Sequence, residues 1–181
     1  MGGLRSSAQM ISYELTLGLS ALSVIVMAGS LNLSDLVDSQ KTIPYILIQP
    51  VAFLLFFIAG VAETNRAPFD LPEAEQELVA GFHTEYTGMK FAMFFMGEYI
   101  NMVTMSSLVT LLFLGGWNSY GLPIWPILAF AGKVFFLLCV FIWLRSTFPR
   151  IRYDRLMTFG WKFLLPICLL NLLITAVFKV L

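Results

Sequence analysis

Apolar residues gather in five long runs along the chain, and short polar segments separate these runs. A helix needs about 20 mainly apolar residues to cross the hydrocarbon core of a bilayer, and each run reaches roughly that length. The pattern therefore predicts an all-α fold, a polytopic transmembrane helix bundle that forms a single membrane domain over residues 1–181. The predicted spanning helices cover about 10–29, 44–62, 91–114, 123–144 and 161–180.

Two of the polar segments hold most of the charge. Segment 63–90 is long and mainly acidic, whereas segment 145–162 is basic. Lys and Arg collect on the cytoplasmic side of membrane proteins, and acidic residues contribute little to this rule. Both segments, and the N-terminus with them, are therefore predicted to be cytoplasmic, with the C-terminus outside. Eight Lys and Arg residues lie on that side, namely Arg5, Arg66, Lys90, Arg145, Arg150, Arg152, Arg155 and Lys162, against at most three on the other, Lys41, Lys133 and Lys179.

The composition narrows the functional classes. Hydrophobic residues make up 59% of the chain and charged residues 12%, whereas a soluble domain has about 25% charged residues. A formal net charge of zero argues against nucleic acid as a partner, because phosphate binding needs excess Lys and Arg. Cys139 and Cys168 lie far apart in apolar runs and His83 is the single histidine, so we expect neither a metal nor an iron–sulfur site.

Other signals of chemistry are missing from the sequence. It has no glycine-rich nucleotide loop and no arrangement of Ser, His and Asp that suggests a catalytic triad, so we expect no catalytic residue set on this chain alone and no bound cofactor. A signal peptide is not evident either. We therefore expect the first transmembrane helix to direct membrane insertion.

The acidic segment has the most specific local pattern. Asp70 is suited to cap a helix, Pro72 fits its first turn, and Glu73 stands three residues after the cap, as in a capping box. Glu73 and Glu77 would share one helix face, where like charges repel. Two interpretations remain: a solvated acidic loop, or a carboxylate cluster that handles protons or cations. The candidate residues are Glu63, Arg66, Asp70, Glu73, Glu75, Glu77 and Glu85.

Three ionisable residues fall within predicted membrane helices. A charge there costs about 2.5–3.5 kcal/mol on insertion scales, and such residues usually face a bundle interior or water. Glu14 stands near one helix end and could reach the interface. Glu98, beside Tyr99, lies deeper and is a functional candidate. Lys133 either extends its ammonium group to the interface or has a function.

The basic segment allows two interpretations as well. It could be a topology anchor only, which explains its charge but not its embedded aromatic residues and Pro149. Alternatively, it could be a docking surface for an acidic soluble partner or for lipid head groups.

Four motifs together resemble a known family. They are GLRSSAQMISYE at 3–14, AETNRAPFDLPEAEQELVAGFHTEY at 62–86, GEYINM at 97–102 and RSTFPRIRYDRLM at 145–157. This sequence is similar to the H-type membrane subunit of proton-pumping NADH-quinone oxidoreductase, respiratory complex I. In that family, three further transmembrane helices and an interfacial helix precede the segment that matches Gly2. We therefore expect this chain to correspond to the C-terminal part of the family.

The resemblance implies a non-redox membrane subunit of a translocase. Such a subunit forms the base of the quinone chamber at the junction with the peripheral arm and couples quinone reduction to proton pumping. Implied partners are quinone as the shared substrate (ubiquinone or menaquinone), membrane lipid, and the other membrane and peripheral-arm subunits, including the terminal iron–sulfur subunit. The implied location is the bacterial inner membrane, with the mitochondrial inner membrane as the alternative. By motif, the chamber and proton-coupling residues are Arg5, Glu14, Glu63, Arg66, Asp70, Glu73, Glu75, Glu77, Glu85, Glu98 and Tyr99, and Arg150 belongs to the arm junction.

Two other functions remain open at the level of sequence. A related membrane subunit of an energy-converting hydrogenase would share the ancestry without using NADH. A stand-alone ion transporter is the third hypothesis, although the inverted repeats that are common in transporters are not evident.

Overall fold

The computed structural model of this chain describes residues 2–64, 69, 88–121, 125–149, 151 and 153–180, with the side chains of 2–6 and 153 left out. Within these residues all regular structure is helical, so the predicted all-α fold is confirmed. In chain order the helices are α1 (Gly2–Ala28), α2 (Leu33–Ser39), α3 (Tyr45–Ile48), α4 (Pro50–Glu63), α5 (Met89–Phe113), α6 (Pro126–Thr147), α7 (Tyr153–Phe159), a π-helical turn (Gly160–Leu164) and α8 (Leu165–Val180).

Helix α1 lies at the centre of the packing. It contacts α4 along one side and α8 along another, while α5 packs against α6, α2 and α4. Apolar side chains form a cluster at each end of this bundle. Tyr13, Ala59 and Leu156 belong to one cluster, and Val24 and Phe113 belong to the other. Glu14 on α1 and Glu63 on α4 lie at the same end of the bundle as the first cluster. We call this end the acidic end.

Three of the described helices are long and apolar enough to cross a membrane, judged by length and composition. They are Ser7–Ala28, Pro126–Thr147 and Asp154–Val180, and α4 is a shorter apolar helix. Large apolar side chains such as Trp143 and Phe178 are mostly exposed. Outward-facing apolar side chains suit contact with lipid tails, so the helices fit a multi-pass membrane protein.

The second predicted span is divided in the structure. The pattern predicts one helix over 44–62, but α3 ends at Ile48 and α4 begins at Pro50. The backbone of Gln49 leaves the helical conformation, with φ −128° and ψ 64°. The physical reason is Pro50: the ring disfavours helical geometry at the preceding residue, yet it fits the first turn of the helix that follows.

Two further helices lie in segments that the sequence predicted to be loops. Helix α2 occupies part of segment 30–43, and Asn32 caps it by accepting a hydrogen bond from the backbone N–H of Ser34 at 3.3 Å. Helix α7 begins at Tyr153 and continues through the π-helical turn into α8. The last helical segment is thus longer than the predicted span 161–180.

Candidate functional site

The acidic end is held together by a buried glutamine on α1. The side-chain amide of Gln9 donates to the carbonyl of Ala62 at 2.9 Å and to that of Phe69 at 3.1 Å. Gln9 is fully buried. It therefore joins α1 to the last turn of α4 and to a residue beyond that helix, which fixes the position of Glu63 relative to α1.

Two of the predicted acidic residues meet here. Glu63 is the last residue of α4, one residue past the predicted span 44–62, and its side chain is half-buried. Burial, and secondly the nearby negative charge of Glu14, raise the pKa of the Glu63 carboxyl above its usual value. Glu14 itself is exposed on α1. The structure thus brings a desolvated carboxyl and an exposed carboxyl within electrostatic reach of each other.

Tyr13 fixes the same end of α1 against the other helices. It is fully buried and its hydroxyl group donates to the carbonyl of Leu156 at 3.0 Å. Its ring lies 6.1 Å from the ring of Phe69, and it also faces Gly160 in the π-helical turn. Glu14 follows Tyr13 directly, so the tyrosine determines where Glu14 stands.

An apolar cavity of about 820 Å³ lies beside this end. Helix α4 supplies one wall, and the end of α6, helix α7 and the π-helical turn supply the others. Pockets that bind small molecules have about this size, with mainly apolar walls and a few polar groups. Asp154, Arg155 and Thr158 are the polar lining residues, and the apolar ones include Leu54, Phe57, Val61, Phe69, Phe148 and Phe159.

Glu98 and Tyr99 lie on a different helix. Both belong to α5, and Glu98 stands about 14 Å along the helix from its start at Met89, at 1.5 Å per residue. Glu98 is half-buried, with one carboxylate oxygen shielded from solvent, whereas Tyr99 is exposed. Helix α5 packs against α4 and α6, which places Glu98 on a neighbour of the helix that ends at Glu63.

The other predicted site residues fall largely outside the described residues. The backbone of Arg5 belongs to α1, but its side chain is not described. The predicted capping box lies in the undescribed part of the acidic segment. The predicted site residues that lie wholly outside the described residues are Arg66, Asp70, Glu73, Glu75, Glu77 and Glu85 of the acidic segment and Arg150 of the basic segment.

Lys133, for which the sequence allows two interpretations, has its ammonium group surrounded by backbone carbonyls. It donates to Leu114 at 2.8 Å, Gly116 at 3.0 Å and Asn118 at 2.7 Å. These carbonyls belong to the turn after α5, at the end of the bundle opposite the acidic end. All three N–H groups of Lys133 are used, so its contacts are those of a structural cap for the turn.

Sequence reasoning missed Gln9 and Tyr13 as members of the site. Both stand inside the motif 3–14, but neither side chain is charged. A signal for Gln9 was nonetheless present. Polar residues recur on α1 every three or four positions, which is the spacing of one helix face, and this face is buried. The members of this polar face are Gln9, Ser12, Thr16, Ser20 and Ser23.

Comparisons with known proteins agree with the motifs. A family model described as NADH dehydrogenase matches residues 1–176. The H-type subunit of NADH-quinone oxidoreductase from Protochlamydia amoebophila is 56% identical over 178 residues, which are 98% of this chain and 54% of that protein. The proteins of the same name from Syntrophotalea carbinolica and Geobacillus kaustophilus are 53% and 54% identical, over 97% and 99% of this chain and 53% and 54% of their own lengths.

This chain spans about half the length of the curated relatives it matches. The family model, by contrast, covers nearly all of the chain. The chain therefore belongs to the NADH dehydrogenase family, as its four motifs predicted.

Proposed function

We propose that this chain is a non-redox membrane part of a proton-translocating NADH-quinone oxidoreductase, in which it forms the base of the quinone chamber and couples quinone reduction to proton movement. The observation that carries this proposal is the position of the Glu63 carboxyl. It is partly desolvated, it faces the charge of Glu14, and it stands at the end of a helix that also lines the large apolar cavity.

The raised pKa of Glu63 suits proton transfer. A carboxyl whose pKa lies nearer to the ambient pH exchanges a proton more readily in both directions than an ordinary one. Negative charge that appears near the pair, as when a quinone takes up electrons, would favour the protonated form of Glu63. Proton uptake at Glu63 would thus follow quinone reduction, which is the coupling that the proposed function requires.

The apolar cavity supports quinone as the substrate. A quinone has a polar head group and a long hydrocarbon tail, so it needs an apolar channel with few polar groups at one end. The cavity is mainly apolar, and its polar lining residues, Asp154, Arg155 and Thr158, all belong to α7. Val61 and Phe69, which flank Glu63 in sequence, line the same cavity.

We place the chain in the bacterial inner membrane as a part of a larger complex. The relatives are named as subunits of NADH-quinone oxidoreductase and come from bacteria. The exposed Arg145 and Arg155 in the basic segment are suited to dock the acidic surface of a peripheral-arm subunit, such as the terminal iron–sulfur subunit, or lipid head groups.

The test is Glu63→Gln in the full-length protein within its native membrane complex. Glutamine keeps the shape of the side chain but cannot exchange a proton. In inverted membrane vesicles we expect NADH-driven proton uptake to fall, measured with a pH-sensitive dye. The matched control is Asp38→Asn on α2, an exposed carboxylate paired with Lys41 at 3.1 Å at the opposite end of the bundle.

Normal proton uptake in an assembled Glu63→Gln complex would remove the proposed role. Affinity purification from solubilised membranes, followed by mass spectrometry, tests the partners. Flavin and iron–sulfur subunits of the NADH dehydrogenase should co-purify with the protein. Hydrogenase subunits in their place would favour the energy-converting hydrogenase, and a protein that purifies alone would favour a transporter.

A further inference from the structure

The buried polar face of α1 extends from the acidic end towards the opposite end of the bundle. Gln9 and Ser23 contact the two ends of α4, through Ala62 and Gln49 respectively. Ser12 also accepts a hydrogen bond from the indole N–H of Trp161 in the π-helical turn at 3.1 Å. We call this face, together with Gln49 just before α4 and Glu63 at its end, the α1–α4 seam. Residues 9 to 23 cover about 21 Å at 1.5 Å per residue, which is most of the thickness of a bilayer core. The seam residues of α1 are Gln9, Ser12, Thr16, Ser20 and Ser23, each at most 4% exposed.

Some polar atoms of the seam have hydrogen bonds and others do not. The hydroxyl groups of Ser12, Ser20 and Ser23 donate to backbone carbonyls of their own helix at 2.7–2.9 Å. The hydroxyl group of Thr16, by contrast, is fully buried and has no hydrogen-bond partner among the residues that the structure describes. Buried polar groups in proteins are nearly always hydrogen-bonded, often to internal water.

Both glutamines of the seam also keep one atom without a partner in the described part of the chain. Gln9 donates through its nitrogen to two carbonyls, so its amide cannot be turned and its oxygen still needs a donor. Gln49 contacts Ser23 at 3.2 Å through one amide atom. Whichever way this amide is turned, the other atom remains buried and unpartnered. One carboxylate oxygen of Glu63 is likewise buried and has no hydrogen-bond partner among the described residues.

The break in the second span is an independent observation at the same place. Non-helical backbone at membrane depth is tolerated where it is buried in protein or lines a water-filled cavity. Gln49 occupies the break and is 5% exposed. The fold can satisfy a buried glutamine completely, because the two N–H groups of the Gln40 amide lie within hydrogen-bond distance of three carbonyls and its oxygen accepts from the backbone N–H of Tyr45. The unpartnered atoms of Gln9 and Gln49 are thus not a general property of buried glutamines in this fold.

We propose that the α1–α4 seam binds a line of water molecules that carries protons between Glu63 and the break at Gln49. This inference rests on the proposed function, in which Glu63 exchanges protons. In each step an O–H bond of the donor breaks and a new O–H bond forms on the next oxygen. Glu63 becomes a carboxylate when it releases its proton into the line, and it regains a proton from the side of Glu14.

The hydroxyl groups of the seam fit this role. A hydroxyl group donates one hydrogen bond, accepts two and rotates freely, so it can follow a reorienting line of water. Thr16 lies about midway between Gln9 and Ser23 and has no competing bond among the described residues. It is therefore the residue on which the water line depends most.

The experiment compares two isosteric variants in the full-length protein within its assembled complex. Thr16→Val removes the unpartnered hydroxyl group of the seam. Thr110→Val is the control, because Thr110 on α5 is equally buried but its hydroxyl group already donates to Ser106 at 2.8 Å. We expect Thr16→Val to keep electron transfer from NADH to quinone in uncoupled vesicles and to lower proton pumping about tenfold or more. Thr110→Val and Thr16→Ser should pump as the unaltered complex does.

A high-resolution cryo-electron microscopy map of the unaltered complex gives the second measurement. Density for ordered water beside Thr16 and Gln49 supports the proposal. A dry seam overturns it, and so does a Thr16→Val complex that pumps as well as the Thr110→Val control. If the proposed function is wrong, a different result is expected, namely normal proton pumping by the Glu63→Gln complex. The map shows whether the seam contains water independently of that result.

Discussion

Replacement of Lys133 by methionine tests how the turn after α5 is stabilised. The ammonium group of Lys133 donates to three carbonyls at 2.7–3.0 Å. Hydrogen bonds to charged groups contribute about 1.5–3 kcal/mol each. Because Lys133 is only half-buried, water can replace part of this interaction. We therefore expect Lys133→Met to lower the free energy of unfolding by about 3 kcal/mol, less than the three bonds together.

The assay is thermal denaturation of the purified chain in detergent micelles, followed by tryptophan fluorescence. A loss of this size corresponds to a fall in Tm of about 10 °C for a chain of this length. Lys179→Met is the matched control, because the exposed ammonium group of Lys179 donates to one carbonyl, that of Met27, at 2.8 Å. We expect that control to lower the free energy of unfolding by about 1 kcal/mol or less.

Equal Tm values for Lys133→Met and the Lys179→Met control would refute this reasoning, since they would mean that the three carbonyls gain nothing from the ammonium group. Lys133→Arg adds a further constraint. A planar guanidinium group cannot direct its N–H groups to three carbonyls in the way that a tetrahedral ammonium group does. We therefore expect an intermediate Tm for Lys133→Arg, although its charge is unchanged.

Two further predictions concern the opposite ends of the bundle. Gly116→Ala should lower the free energy of unfolding by about 2–3 kcal/mol, because Gly116 has φ +50° and a new Cβ would lie 2.8 Å from the Cγ2 atom of Val37. The control is Gly121→Ala, at φ +87° with no atom within 4 Å of a new Cβ, which should lower the free energy of unfolding through backbone strain alone. Equal losses of stability in the two variants would contradict the steric explanation. The raised pKa of Glu63 means that the folded chain binds this proton more tightly than the unfolded chain, so its contribution to stability is present below the ordinary glutamate pKa and is lost as the pH rises through the folded value. Glu63→Gln should therefore raise Tm relative to the unaltered chain at neutral pH and lose this advantage in acid, and a Tm difference that does not change with pH would contradict the raised pKa.

The fold class and the family followed from the sequence because both depend on local features. Continuous apolar runs predict helices without any knowledge of their neighbours, and the long motif at 62–86 is specific by itself. The break at Gln49 was not predicted, since the apolar run 44–62 continues through it. The pair Gln49–Pro50 contained the signal, but Pro is common enough in membrane helices that it does not by itself mark a break.

The sequence identified individual residues of the candidate site, but it did not predict how these residues are arranged in space. Glu14 and Glu63 were each singled out for their charge, but their electrostatic contact depends on the packing of α1 against α4. Gln9 was missed because its role depends on two carbonyls that are more than 50 positions away in sequence. Long-range hydrogen bonds of this kind leave only a periodic pattern of polar residues in the sequence.

Buried polar groups of this bundle differ in how completely they are satisfied. At the end with the turn after α5, Lys133 donates to three backbone carbonyls, and the two N–H groups of the Gln40 amide are shared among three others. Fully satisfied polar groups of this kind make a structure rigid. Along the α1–α4 seam, by contrast, Gln9, Thr16, Gln49 and Glu63 each keep an atom without a hydrogen-bond partner among the described residues, which is a cost in stability. Stability is commonly reduced where function requires it, and the proton exchange that we propose for Glu63 would require acceptors that are not already occupied by fixed donors.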